Sequence, residues 1–126
     1  MPADSFGILL LSGAHERAQY AFVLAAGAAS VGRRVVIFAT NRGCHALLAD
    51  WSGLRDASRD ARIVTAGIAG LNELRAAADA LGVRLIACEA GLKAEGLERA
   101  PLYAGVQVAG VVTFLSEVGT GQIVAI

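Results

Sequence analysis

The sequence predicts an α/β fold with a parallel sheet and helices on both of its faces. Short, continuous apolar runs of strand length recur along the chain, and such runs are typical of strands that are buried on both sides. Stretches with helical periodicity separate the runs, so consecutive strands are expected to be joined by right-handed helical crossovers. Glycines after several segments mark their ends, as Gly32 and Gly82 do.

The predicted strands are short runs rich in β-branched and other apolar residues. They are residues 6–11, 34–39, 83–87, 106–108 and 122–126. Leu71, Leu74, Ala78 and Leu81 form the stripe of the clearest amphipathic helix. The predicted helices span residues 14–31, 44–50, 71–81 and 110–118, together with a short helix that follows Cys88 and continues through residues 92–97. Residues 51–62 are polar and predicted as a surface loop, while residues 63–65 are too few to assign.

The composition suits a single domain over residues 1–126 and excludes several classes of protein. The 11 basic and 11 acidic residues cancel and form no basic stripe, so nucleic acid is not an expected partner. The most apolar window, residues 18–31, is shorter than the ~20 residues needed to span a bilayer. The first six residues lack the pattern of a signal peptide, so we expect a cytoplasmic protein without a membrane span.

Subunit contacts are a second expectation from composition. Hydrophobic residues make up 56% of the chain and charged residues only 17%. Such a surface is hard to keep in water alone, so we expect a homo-oligomer, a trimer or a multiple of one, that covers part of it.

Polar side chains follow three of the predicted strands, at the point where each strand ends. Carboxyl ends of parallel strands share one edge of the sheet, so these groups are expected along one cleft. The groups are Ser12, Gly13, His15 and Glu16; Asn41, Arg42, Cys44 and His45; and Cys88 with Glu89. Three of them, His15, Arg42 and His45, are candidates for holding an anionic substrate. The alternatives are a surface position for His15 and a solvated loop position for Arg42.

Cys88 is the strongest candidate for chemistry. It ends an apolar run directly before a helix-compatible stretch, where free backbone N–H groups favour a thiolate. Glu89 disfavours that charge, and Lys93 stands four residues later, where a helical pair would offset it. The alternative is a small buried apolar residue, since free cysteine is among the most buried residue types.

Other kinds of site fit the sequence poorly. It has no Gly-x-Gly-x-x-Gly after the first strand, no P-loop and no Cys-x-x-Cys, which argues against nucleotide and dithiol sites. Cys44, His45, Cys88 and His15 match no standard zinc spacing, so no metal site is expected. Cys44 either packs inside its short helix or serves as a resolving thiol for Cys88.

The chain resembles the DsrE/DsrF-like family over nearly its whole length. Three blocks carry the likeness, and the most specific is the helix, strand and cysteine block that is followed by a Gly-Val and Thr-Phe-Leu block. They are residues 21–38, residues 71–88, and residues 96–97 with 105–115. After the cysteine the chain has Ala90-Gly91-Leu92, where relatives commonly have a Ser-Met pair.

The resemblance implies a three-layer α/β/α domain with a five-stranded, mainly parallel sheet, assembly into oligomers and no organic cofactor. It also implies sulfur trafficking with other sulfur-carrier proteins, in which Cys88 carries a persulfide. Two functions stay open. One is a sulfur carrier or sulfurtransferase that acts through Cys88. The other is a non-catalytic binding or regulatory subunit of the same fold with an inert cysteine.

Overall fold

A five-stranded, fully parallel sheet forms the centre of the protein, with strand order β4-β3-β2-β1-β5. The computed structural model describes residues 4–126. Residues 1–3, which belong to the start that lacks a signal-peptide pattern, lie outside the described residues. Helices cover both faces of the sheet, so the predicted three-layer α/β/α architecture is confirmed. Within residues 4–126 no helix is both long and apolar enough to cross a membrane.

All five predicted strands are present. They are β1 Ser5–Leu10, β2 Arg34–Ala39, β3 Arg84–Cys88, β4 Gln107–Ala109 and β5 Gln122–Ala125. The helices are α1 His15–Ser30, α2 Arg59–Thr65, α3 Leu71–Ala80, α4 Glu89–Ala94 and α5 Val111–Val118, and a 3₁₀ helix spans Asn41–Leu47. Each parallel crossover returns the chain to the same edge, so β1, β2 and β3 end side by side.

The two faces of the sheet carry different cores. Side chains alternate along each strand, so neighbours on β2 such as Ile37 and Phe38 enter opposite clusters. The larger cluster packs against α1 and α3, while the smaller one packs against α5 through Phe114 and Val118. The second face is thus covered by one short helix, and much of the outer side of that helix is exposed.

Residues 59–62 form the first turns of α2, so the prediction of a loop through this region is wrong. The unassigned residues 63–65 complete the same helix, although β-branched residues favour strands. Tertiary contacts explain the helix. Ile63 is buried, and the Asp60 carboxylate accepts hydrogen bonds from His15 and from the backbone N–H of Leu71. Contacts with distant residues outweigh the weak local preference.

Of the two short helices near the carboxyl edge of the sheet, one begins three residues earlier than predicted and the other begins directly after Cys88, as predicted. The segment predicted as a turn followed by a helix over residues 44–50 is a 3₁₀ helix over Asn41–Leu47. The short helix predicted to follow Cys88 is α4, Glu89–Ala94, which starts directly after β3 and ends before residue 97. Both helices therefore start at the ends of strands, where the candidate site lies.

We expect Gly7→Ala to destabilise the protein by ~1–3 kcal/mol, because overpacking a tight core forces neighbouring side chains to move. A Cβ at Gly7 would lie 2.6 Å from Cγ2 of Val118 and 2.9 Å from Cζ of Phe114. Gly27→Ala is the matched control, since a Cβ there meets nothing within 4 Å. This control should stabilise α1 by ~0.5–1 kcal/mol. Urea unfolding measures both, and a Gly7→Ala variant as stable as wild type would contradict this packing of α5.

Candidate functional site at the carboxyl edge of the sheet

Cys88 is both the last residue of β3 and the N-cap of α4. Its sulfur accepts a hydrogen bond from the backbone N–H of Gly91 at 3.3 Å. The residue is 8% exposed and belongs to the smaller core cluster, where the rings of Phe38 and Phe114 stack with centroids 5.0 Å apart. The sulfur therefore has an N–H donor on one side and apolar carbon on the other.

Gly91 is required where it stands because the backbones of α4 and the 3₁₀ helix meet there. A Cβ at Gly91 would lie 2.8 Å from the backbone N of Asn41 and 2.8 Å from Oγ1 of Thr40. Real Cβ contacts are essentially never this short, and the Asn41 atom is backbone that has little room to move. The first turn of α4 is thus seated against the end of β2, which fixes the N–H that points at the Cys88 sulfur.

Cys44 lies in the 3₁₀ helix next to Cys88, and both thiols are free. It is 0% exposed, and its sulfur donates a weak hydrogen bond to the carbonyl oxygen of Ala39 at 3.5 Å. The pKa of the Cys44 thiol is raised to about 11, first by burial and then by the charge of Cys88. The backbone N–H of Cys88 lowers this pKa in part. Cys44 therefore stays protonated near neutral pH.

Arg42 and His45 lie on the same 3₁₀ helix but in different surroundings. Arg42 is exposed, and its Cβ lies against Gly13 at the start of the first crossover, where an added Cβ would lie 2.6 Å from it. His45 is half-buried against Gly53, where an added Cβ would lie 2.5 Å from the imidazole Nδ1. That Nδ1 is buried and has no hydrogen-bond partner within residues 4–126. Of these two side chains, Arg42 is the one open to a ligand.

His15 is held inside the protein and away from solvent. It is 0% exposed, its Nε2 lies 2.8 Å from Oδ1 of Asp60, and NH1 of Arg59 lies 3.3 Å from its Nδ1. The ring of Trp51 packs beside it with centroids 5.8 Å apart. Because both ring nitrogens contact protein partners, His15 would hold an anion only if one of these contacts broke. The structure does not bring it together with Cys88.

A groove runs beside α4, next to the Cys88 position. Its volume is about 300 Å³. Its apolar lining includes Leu92 and Leu102, and its charged lining residues are Glu89, Lys93 and Glu98. Glu89 and Lys93 are both exposed, and they form no ion pair, because the ion pairs within residues 4–126 involve other residues. The helical pair suggested by their spacing is therefore not formed.

Several residues that shape this edge carry no signal in the sequence pattern. The sequence pattern places Asn41 at this edge only as one of several polar groups and does not single out Thr40, yet both contact the first turn of α4 at Gly91. Asp60 and Arg59, the partners of His15, are more than 40 residues away along the chain, in a segment predicted as a loop. The sequence does contain one signal for the contact between α4 and the end of β2. Ala90-Gly91-Leu92 stands where relatives commonly have a Ser-Met pair, and it places a glycine at this contact.

The sequence profile of the DsrE/DsrF-like family matches residues 4–124, which is almost the whole chain. The chain belongs to this family. Membership supports a role related to sulfur.

Two solved structures of similar fold agree with this membership. The YchN protein from E. coli superposes with a TM-score of 0.74 at 13% identity, over 98% of this chain and 99% of that one. MTH1491 from Methanobacterium thermoautotrophicum, described as a protein of unknown function, superposes with a TM-score of 0.60 at 18% identity, over 98% and 99%. Identities this low show the shared fold alone. None of the curated proteins compared with the chain matches it significantly.

We expect Cys44 to resist alkylation in the folded protein. Burial is the largest cause that raises the pKa of the Cys44 thiol from 9.0 to about 11, and it persists when Cys88 is replaced, so little Cys44 thiolate is present near neutral pH. Iodoacetamide treatment of a Cys88→Ser variant, followed by intact mass measurement, should show slow labelling that becomes fast in guanidinium. Rapid labelling of this variant under native conditions would contradict the burial of Cys44.

Proposed function

We propose that this protein is a sulfur carrier or sulfurtransferase that accepts sulfane sulfur as a persulfide on Cys88 and passes it to a partner thiol. The observation that carries the proposal is the position of the Cys88 sulfur at the carboxyl edge of the sheet, facing the Gly91 N–H. An N–H donor directed at sulfur stabilises negative charge on it, and the thiolate is the form that attacks. Membership of the family supports a sulfur-related role for the chain.

The proposed reaction transfers a neutral sulfur atom in two balanced steps. The Cys88 thiolate attacks the outer sulfur of a donor persulfide, forms a new S–S bond and releases the donor as a thiolate. A partner thiolate then attacks the outer sulfur on Cys88, which regenerates the Cys88 thiolate. No net oxidant or reductant is consumed, since each step breaks one S–S bond and forms another.

Arg42 is the proposed contact for an anionic donor, because it is exposed on the segment next to α4. His45 and His15 are less well supported as contacts for the donor. His45 packs against Gly53, and His15 hydrogen-bonds to Asp60. We therefore expect neither histidine to contact the donor directly.

For Cys44 the packing role is better supported than the resolving role. As a resolving thiol it would attack the inner sulfur of the Cys88 persulfide, form a Cys44–Cys88 disulfide and release hydrosulfide. This step requires the Cys44 thiolate, and the raised pKa of this thiol disfavours it. Cys44 also belongs to the larger core cluster and Cys88 to the smaller one.

The alternative function is a non-catalytic binding or regulatory subunit with an inert cysteine. The low exposure of Cys88, 8%, favours this alternative because a donor must reach the sulfur. The two functions differ in whether Cys88 gains sulfur, and this difference can be measured directly.

Incubation with a persulfidated carrier or polysulfide should add one sulfur atom to the wild-type chain, as measured by intact mass. Cys88→Ser should abolish the gain, while the matched Cys44→Ser control should retain it. Mild oxidation and peptide mapping should find Cys88 unpaired or joined between chains. A gain that persists in Cys88→Ser would move the chemistry to Cys44, and no gain in any variant would favour the inert subunit.

A homo-oligomer, a trimer or a multiple of one, is also proposed. The outer side of α5 exposes Val111, Val112 and Leu115 to solvent. The inner side of the same helix packs on the sheet in the smaller core cluster. Contiguous apolar surface of this kind is typical of subunit interfaces.

We expect Val112→Lys to lower the sedimentation coefficient, because a charge would be buried at the proposed contact. Val31→Lys is the control, since Val31 is exposed to a similar degree (78% against 76% for Val112) but lies at the end of α1. A wild-type chain that sediments as a monomer at micromolar concentration would refute the oligomer, and equal effects of the two substitutions would refute the α5 surface.

A further inference from the structure

A polar cavity of about 530 Å³ lies at the amino edge of the sheet, opposite the edge that carries Cys88. The strands β1, β2 and β5 begin there, and the turn between α5 and β5 closes one side. The polar side chains that line the cavity are those of Asp4, Ser5, Arg33, Arg34, Thr120 and Gln122. Six-residue strands separate this edge from the Cys88 edge by ~20 Å.

Arg33 and Arg34 are adjacent in sequence, and both line the cavity with neutral partners only. Arg33 lies over the ring of Phe6 at 4.4 Å and donates to Oε1 of Gln122 at 3.3 Å. Arg34 donates to Oγ of Ser5 at 2.8 Å and to the carbonyl oxygen of Glu117 at 3.5 Å. Neither arginine forms an ion pair within residues 4–126, where the ion pairs belong to other basic residues.

One hydrogen-bond donor of the Arg33 side chain has no acceptor among the described residues. This donor is the Nε, which is buried. Buried N–H donors are nearly always paired, so the protein satisfies the Arg33 guanidinium only in part. A guanidinium offers five N–H donors in a planar fork that suits tetrahedral oxyanions.

The charge balance of the cavity also favours an anion. In the part of the chain that the structure describes, Asp4 is the one acidic residue that lines it, against two arginines. The nearby carboxylate of Glu117 is already paired with Arg84 at 2.9 Å. Gly119 adopts φ +60°, and the Thr120 hydroxyl adds a neutral donor at the turn.

We propose that this cavity binds a tetrahedral oxyanion of the phosphate class, held by Arg33 and Arg34 with Thr120 beside them. The ion is either free or the terminal group of a small phosphate monoester, because both present the same oxygen atoms. The site is independent of Cys88 and of sulfur transfer, so its test does not involve either thiol.

Titration of the full-length chain with inorganic phosphate, followed by NMR of backbone amides, tests the site. We expect saturable shifts of the Gly119, Thr120 and Gly121 amides, with a chloride titration at matched ionic strength as the reference. Arg34→Gln should weaken binding about tenfold, because one charge-assisted contact is lost. Arg99→Gln is the control, since Arg99 is exposed and does not line the cavity, and it should bind as wild type does.

Arg33 requires a second variant because it also packs on Phe6. Arg33→Lys keeps the positive charge but removes the planar fork of N–H donors, so it should weaken phosphate binding while its thermal melt shows an intact fold. A parallel titration with adenosine monophosphate separates the two sources, since tighter binding of the ester assigns the cavity to a monoester. Shifts that chloride reproduces, or equal affinity of Arg34→Gln and wild type, would overturn the proposal.

Discussion

The close approach of Gly91 to the backbone at Thr40 and Asn41 is the constraint on which the candidate site depends. It seats the first turn of α4 against the end of β2 and directs the Gly91 N–H at the Cys88 sulfur. A side chain at residue 91 would push α4 away from the neighbouring strand. The hydrogen bond to sulfur would then be lost, although the sheet itself would remain. The geometry at Cys88 therefore depends on one glycine outside the sheet.

The order of secondary structure could be predicted from the sequence because each element has a strong local pattern. Apolar runs such as residues 35–39 of β2 are buried on both faces of a parallel sheet, and their length and composition identify them. The α2 helix could not be predicted in this way. Its stability depends on Ile63 burying its side chain and on Asp60 bonding to residues of α1 and α3, which no local pattern reveals.

Of the candidate site, the shared sheet edge could be predicted, but the direction of each side chain could not. Parallel pairing of Ala39 with Ala87 brings the ends of β2 and β3 together, as the strand pattern implied. Whether a histidine near that edge points outward depends on partners elsewhere in the fold. His15 points inward because Asp60 and Arg59 occupy both of its nitrogens, whereas Arg42 stays exposed.

The low exposure of Cys88 has unequal consequences for the two halves of sulfur transfer. A donor must reach the sulfur of a residue that is only 8% exposed, so uptake requires a small donor or a local opening of the edge. When the new S–S bond is directed toward solvent, the outer sulfur of the persulfide lies ~2 Å nearer to a partner than the Cys88 sulfur does, since that is the length of an S–S bond. Release to a partner thiol is then less hindered than uptake. Under the proposed function, access to the thiol limits the rate of loading, while the Gly91 N–H stays in place to stabilise the thiolate that release regenerates.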